Sequence, residues 1–271
     1  MTRKDCTVIL GMHRSGSTVL AGCLKLMGVN LENATVQGDH DGHSGSFENS
    51  EIGKIHETLL RHLGCRWDME SGFQRNWEKG RAAKKAEESL GSILQRRFLT
   101  EDRPFAVGDP RMCRLMPLWK TVLANHDVKP CVVVILRQPT EVAMSLEQCC
   151  GLDLTKGHRL WSAYNREAFE GCTGLEYLLI TFDQLLADPV GTLRSLAELS
   201  SLSGLDPVGH AWEILNFVRQ ELKIHHQSEA EGLKSPNFPS YAALYDQLRS
   251  LHALNSLNRG PIFTTPTSQD D

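Results

Sequence analysis

Cys6-Thr7-Val8-Ile9-Leu10-Gly11-Met12-His13-Arg14-Ser15-Gly16-Ser17-Thr18 is the stretch on which the reading of this chain turns. Cys6 to Leu10 is a short apolar, β-branched run and predicts a buried strand. Gly11 to Gly16 is polar and turn-prone. Leu20, Cys23, Leu24 and Met27 then recur at helical spacing, and Gly28 supplies a C-terminal stop. A strand, a Gly-flanked loop and a helix form the setting in which backbone N–H groups cradle a phosphate. The pattern Gly11-x-x-x-x-Gly16-Ser17-Thr18 departs from a nucleotide triphosphatase loop at one place. Ser17 stands where such enzymes carry the Lys that reaches the β- and γ-phosphates. The cation lies inside the loop instead, at Arg14. A guanidinium there keeps its proton and can bridge a leaving phosphate oxygen and a group in transfer.

Three more strands are predicted along the chain. Residues 104–108 lead into Asp109-Pro110-Arg111 and a helix through Trp119 and Leu123. Cys131 to Leu136 is the clearest buried strand. It ends at Arg137, and Pro139 opens the next helix. Residues 175–181 form the fourth. Helical patterns cover 49–63, 78–99, 155–171, 189–201 and 207–224, and residues 33–48 form a long polar loop. Strands alternating with helices predict an α/β fold, a P-loop-type parallel sheet with helices on both faces. A single domain over 1–271 is expected, with a core from 6 to 200, a helical part at 205–254 and a flexible tail at 255–271. Ligands in such folds bind beyond the carboxyl ends of the strands, where Arg14, Asp109, Arg137 and Asp183 fall. Ser145 lies two turns into the helix after Arg137, so its hydroxyl and the Arg137 guanidinium can converge on one anion.

Composition narrows the class. Charged residues make up 23 % and apolar residues 41 % of 271, and 29 basic against 33 acidic residues leave a net charge of −4. That argues against a dedicated nucleic-acid binder. The longest apolar runs are too short for a membrane span. The first residues lack a signal-peptide pattern. The eight cysteines show neither C-x-x-C nor zinc spacing. A reduced, cytoplasmic protein without a metal is expected. Asp39-His40-Asp41-x-His43 reads as a solvated loop rather than a metal site.

Several of these segments resemble one family. Gly11-Met12-His13-Arg14-Ser15-Gly16-Ser17-Thr18 is similar to the 5′-phosphosulfate loop of sulfotransferases that use 3′-phosphoadenosine-5′-phosphosulfate (PAPS), in the His-Arg-Ser-Gly form of bacterial cytosolic members. Arg137 and Ser145, eight apart with Pro139 between, resemble that family's 3′-phosphate site. Phe47-Glu48-Asn49, Asp109-Pro110-Arg111, Leu160-Trp161-x-x-Tyr164-Asn165 and Phe182-Asp183-x-Leu185-Leu186 resemble further segments, so the likeness runs from residue 6 to about 200. Two departures stand out. Gly108 occupies a position where family members often carry Lys, and Ser17-Thr18 inverts the commoner order.

The resemblance implies PAPS as cosubstrate, no metal, and a hydroxyl-bearing small-molecule, lipid or glycan acceptor. His13, Arg14, Ser15, Gly16, Ser17 and Thr18 would hold the 5′-phosphosulfate. Arg137 and Ser145 would hold the 3′-phosphate. Phe182 or Tyr164 would stack on adenine, while Trp161 reads as core. Arg14 would stabilise the sulfuryl group and the leaving oxygen. For the base that takes the acceptor proton, His40, His43, Glu48 and Asp109 are candidates. The unperturbed pKa favours His43. Position favours Glu48, which precedes a helix that Asn49 or Ser50 can cap, and geometry ranks before pKa for a base. The competing readings are a kinase using ATP and Mg²⁺ and a non-catalytic nucleotide-binding protein of the same fold.

Overall fold

Four parallel strands form one sheet: β1 (Lys4–Leu10), β2 (Phe105–Gly108), β3 (Val128–Leu136) and β4 (Tyr177–Thr181), in the order β2-β1-β3-β4. The structure is a computed structural model and describes residues 4–31, 49–225 and 238–253. The helices are α1 (Ser17–Leu26), α2 (Ser50–His62), α3 (Arg81–Ile93), α4 (Met112–Asn125), α5 (Pro139–Cys150), α6 (Leu154–Gly171), α7 (Phe182–Ala187), α8 (Pro189–Leu196), α9 (Ala211–His225) and α10 (Phe238–Ala253).

The apolar strand runs have a direct structural cause. Alternate strand residues enter two separate cores. Val8, Leu10, Val132, Val134 and Leu136 pack on one face, with side chains of α2 to α6 and α10. Ile9, Ala106, Val133, Ile135 and Ile180 pack on the other, with α1, α8 and α9. A strand buried on both faces needs apolar residues at every position. The result is the expected α/β architecture. Both cores continue past residue 200, through Ile214 and Val218 on one side and Leu244, Tyr245 and Leu248 on the other.

Helix ends follow their local chemistry. The Asn49 side chain accepts from the Glu51 and Ile52 amides at 2.9 and 3.1 Å and caps α2. Gln138 accepts from the Glu141 amide at 2.9 Å, with Pro139 in the first turn of α5. Three segments differ from expectation. The predicted helix at 78–99 is interrupted at Gly80, whose extended backbone starts α3, and it ends in a π-turn from Leu94 to Phe98. That turn puts both Leu94 and Phe98 in the core. The predicted helix at 189–201 stops at Leu196 and resumes only as a 3₁₀ turn at Ser200–Leu202. The short α7 was not expected, although Thr181-x-x-Gln184 is a capping signal and Thr181 Oγ1 accepts from the Gln184 amide at 3.2 Å.

Among the described residues, no helix is long and apolar enough to cross a membrane. All eight cysteines are free. Six are buried, and Cys149 and Cys150 are exposed at the end of α5.

Candidate functional site

The chain passes from β1 to β2 on one side and returns to β3 on the other side of β1. The crevice beyond the ends of β1 and β3 is therefore a topological switch point, where such sheets place ligands. Leu10 pairs in register with Val134, so the loop after β1 and the residues after β3 start side by side. Two glycines shape that loop. A Cβ on Gly11 would stand 2.7 Å from Ile135 Cγ2, so only glycine lets the loop pass β3 this closely. Gly16 has φ +94, and a Cβ there would overlap the Phe182 ring. Arg14 itself adopts φ 69, in the left-handed region. α1 then begins with no side-chain cap and no acidic residue in its first turn. Its first amides lack intrahelical partners and carry the positive end of the helix dipole. The Ser15 hydroxyl is buried beside them without a hydrogen-bond partner.

The two sequence motifs meet here. Arg14 Nε donates to Ser145 Oγ at 2.8 Å. Arg137 Nη1 donates to the Arg14 carbonyl at 3.1 Å, and Arg137 Nε donates to Glu141 Oε2 at 2.6 Å. The Arg137 guanidinium also lies 4.7 Å over the Phe182 ring, and Trp161 Nε1 donates to the Arg137 carbonyl at 2.9 Å. Arg137 is only 6 % exposed, and its charge is held in place by three of these contacts, the fourth fixing its backbone. Two basic side chains thus meet where the two motifs join, and Glu141 is the carboxylate that Arg137 touches. That arrangement favours a bound anion.

Asp109 stands beyond the end of β2, 3 % exposed. Its Oδ1 accepts from the Arg111 amide at 2.8 Å, and its Oδ2 accepts from Arg111 Nη1 at 2.8 Å. His56 Nδ1 lies 3.4 Å from Oδ1. Trp119 Nε1 donates to His56 Nε2 at 2.9 Å, which puts the proton of a neutral ring on Nδ1, towards Asp109. Burial alone would raise the Asp109 pKa, but His56 and Arg111 outweigh it and hold the carboxyl well below the usual range. Arg111 continues the chain, donating from Nη2 to Glu57 Oε1 at 2.8 Å. His13 faces Trp67, with ring centroids 4.6 Å apart. Burial pushes its pKa down to about 4, opposed by Asp109 and aided by Arg111 and Arg14. A neutral imidazole is the result at neutral pH.

The structure brings Arg14, Ser15, Arg137 and Ser145 together and places Ser17 and Thr18 in the first turn of α1, beside Asp109 around a small pocket. Phe182 and Tyr164 are 2 % and 0 % exposed, so neither ring offers an open face for adenine. Phe182 spaces Gly16 from Arg137, and Tyr164 donates its hydroxyl to the Trp67 carbonyl at 2.7 Å. Trp161 is fully buried, as expected of core. Gly108 packs on Ile9, where an added Cβ would stand 3.2 Å from Ile9 Cβ. His40, His43 and Glu48 lie outside the described residues. Sequence reading missed His56, Glu57, Trp67 and Glu141. Only the last had a local signal, the four-residue spacing from Arg137. Among the described residues no group of three or more His, Cys, Asp or Glu could hold a metal ion.

No family model matches the sequence, and no curated protein matches it. Solved structures do. The sulfotransferase domain from the curacin biosynthetic pathway is 14 % identical, covering 90 % of this chain and 98 % of its own, at a TM-score of 0.46. The sulfotransferase domain of the Synechococcus PCC 7002 olefin synthase is 18 % identical, covering 100 % and 93 %, at 0.45. Retinol dehydratase, in complex with androsterone and inactive cofactor PAP, is 14 % identical, covering 96 % and 82 %, at 0.37.

Proposed function

We propose that this chain is a PAPS-dependent sulfotransferase that passes a sulfuryl group to a hydroxyl of a small-molecule, lipid or carbohydrate acceptor and releases adenosine 3′,5′-bisphosphate. One observation carries the reading. Arg14 from the first loop is bonded to Ser145 of the second motif, and Arg137 of the second motif is bonded to the backbone of the first. Two anion-binding motifs thus form one site, as a cosubstrate with phosphates at both its 5′ and 3′ positions requires.

The residues fit that group. The unpartnered Ser15 hydroxyl, the uncapped start of α1 and the Ser17 and Thr18 side chains suit the 5′ end. Arg137 and Ser145 suit the 3′-phosphate, with Glu141 displaced or turned aside. When bound, PAPS supplies an activated sulfuryl group with a phosphate as leaving group. Arg14 sits between the two ends and neutralises charge on the leaving oxygen. Asp109 acts here as an anchor for Arg111, because a carboxyl held so far below its usual range is a poor proton acceptor near neutrality. Glu48, with His43 second, is the proposed base. A reduced, cytoplasmic setting belongs to the same reading. Ser17 in the Lys position, and Asp109 committed to His56 and Arg111, leave the ATP–Mg²⁺ kinase without its parts.

The experiment is a thermal-shift comparison of adenosine 3′,5′-bisphosphate with ADP, followed by assay of bisphosphate release with a panel of hydroxyl acceptors. Stronger stabilisation by the bisphosphate, and release that is insensitive to EDTA, are expected. Preference for ADP, or a rate abolished by EDTA, overturns the reading. Glu48→Gln should lower turnover by roughly 10²–10⁴ with bisphosphate affinity intact. Collapse on His43→Asn with Glu48→Gln near normal assigns the base to His43.

A further inference from the structure

A cavity of about 220 Å³ lies between α2 and the chain that follows it. Leu60, Cys65 and Trp67 form its apolar wall, and Arg61, Arg66, Arg111 and Glu57 bring charge to it. It adjoins the site at two points. Trp67 is one ring away from His13 of the first loop. Arg111 is bonded to Asp109, which lines the small pocket with Ser17 and Thr18. We propose that this cavity takes the acceptor, and that the acceptor is a compact hydroxy compound: an apolar body about the size of one ring, carrying a carboxylate. The assignment of the ligand as acceptor rests on the sulfotransferase reading, whereas its chemical class rests on the cavity alone.

Size sets the body. An apolar cavity of about 150 Å³ accepts benzene, and drug-sized ligands need about 300 Å³ or more. A volume near 220 Å³ holds one ring with a short substituent. The wall sets its polarity. A free sugar would turn hydroxyls towards Leu60, Cys65 and Trp67, where they find few partners, at a desolvation cost. An apolar ring meets no such penalty. The indole of Trp67 offers it a flat surface.

The guanidiniums set the charge. Arg66 is committed to Asp68, with contacts of 2.9 and 3.2 Å. Arg61 donates to Thr58 Oγ1 at 3.4 Å and, among the described residues, touches no carboxylate. Arg111 is held by Asp109 on one side, which fixes its guanidinium plane. On the other side it meets Glu57, whose side chain is 55 % exposed. A ligand carboxylate can replace so exposed a partner at little cost, because exposed ion pairs contribute little. Arg61 and Arg111 therefore form a two-sided anion clamp at the edge of an apolar slot. The charge of the ligand orients it, and its apolar body lies along Trp67.

The test uses 4-hydroxyphenylacetate and its methyl ester, which share ring and hydroxyl and differ in charge. Binding to the full chain is measured by calorimetry without nucleotide. The acid should bind at least 10-fold more tightly than the ester. Arg61→Gln, at an exposed position, should erase that preference, and Leu60→Trp, which fills the slot, should weaken both ligands. Equal binding of acid and ester, no binding of either, or an Arg61→Gln protein that keeps the preference overturns the proposal. Transfer is then measured with PAPS. Sulfation of the acid at a lower KM than the ester supports both readings. An acid that binds through Arg61 and is never sulfated leaves the clamp standing and refutes the transfer reading. Sulfation of acid and ester at the same KM does the reverse.

Discussion

Arg14 and Arg137 leave the ends of neighbouring strands and reach each other within a few residues of either motif. Glu57, Trp67 and Arg111, on the opposite side of the crevice, come from α2, the chain after it and the end of β2. The first wall is made of two local motifs, each a strand end with the helix it feeds, which the register of the sheet brings together across 123 and 131 residues. The second is made by side chains that no strand register aligns, such as Arg111 with Glu57 and Trp119 with His56 across 54 and 63 residues. A wall of the first kind is carried by two motifs on elements that the sheet already holds. A wall of the second kind carries stability as well as chemistry, and its residues answer as a group.

The largest effect that bears on this contrast is expected at Arg14. With saturating donor, Arg14→Ala should lower turnover by about 10²–10³ while cosubstrate affinity changes far less. Unchanged turnover would reduce Arg14 to a loop anchor and remove the chemistry from the first wall. Next comes Arg137→Ala. It should weaken adenosine 3′,5′-bisphosphate by roughly 1.5–3 kcal/mol and leave AMP almost untouched. Equal losses for both ligands would mean that Arg137 supports the loop as a whole, and the contrast with the second wall would blur.

A smaller effect of a different kind is expected on the other side. Trp119→Phe leaves His56 Nε2 buried without its donor, at a cost of about 1–3 kcal/mol in folding stability. Chemical denaturation reads that loss, and calorimetry should show bisphosphate affinity near normal. A drop in affinity as large as that of Arg137→Ala would show that the two walls act as one unit.

An effect that depends on pH comes from His13, which touches both sides. In the unfolded chain it takes up a proton near 6.5, but in the folded protein only near 4, because burial disfavours the charged ring. Between those values the unfolded state binds more protons. The His13 contribution therefore erodes as pH falls from about 6.5 towards 4, and it stays constant above and below that window. The denaturation midpoint should be lower at pH 5 than at pH 7, and the difference should shrink in His13→Gln.

The same contrast explains what could be read from the chain. β1 and β3 are legible because burial on both faces demands an unbroken apolar run, and the two cores supply that burial. Arg137 and Ser145 are legible as neighbours because one ends a strand and the other sits on the helix it feeds. Trp67 is not. Nothing near it in sequence says that it faces His13, and nothing around Glu57 points to Arg111. Tertiary contact alone creates those pairs. The adenine stackers show the converse failure. Phe182 follows a strand and looks available, but the positive φ of Gly16 brings the loop down on its ring.

Arg14 keeps a left-handed backbone, φ 69, where glycine would sit without steric cost. An L-residue in that region costs about 1–2 kcal/mol. With the role proposed for Arg14, heat tolerance and turnover pull in opposite directions at this single position. A selection for thermal survival alone would drift towards glycine here, relieving the backbone and losing the guanidinium that ties the loop to Ser145. Arg14→Gly and Arg14→Ala remove the same side chain, but only the first removes the strain. The glycine protein should be the more stable of the two by about 1 kcal/mol, and both should show the same lowered turnover.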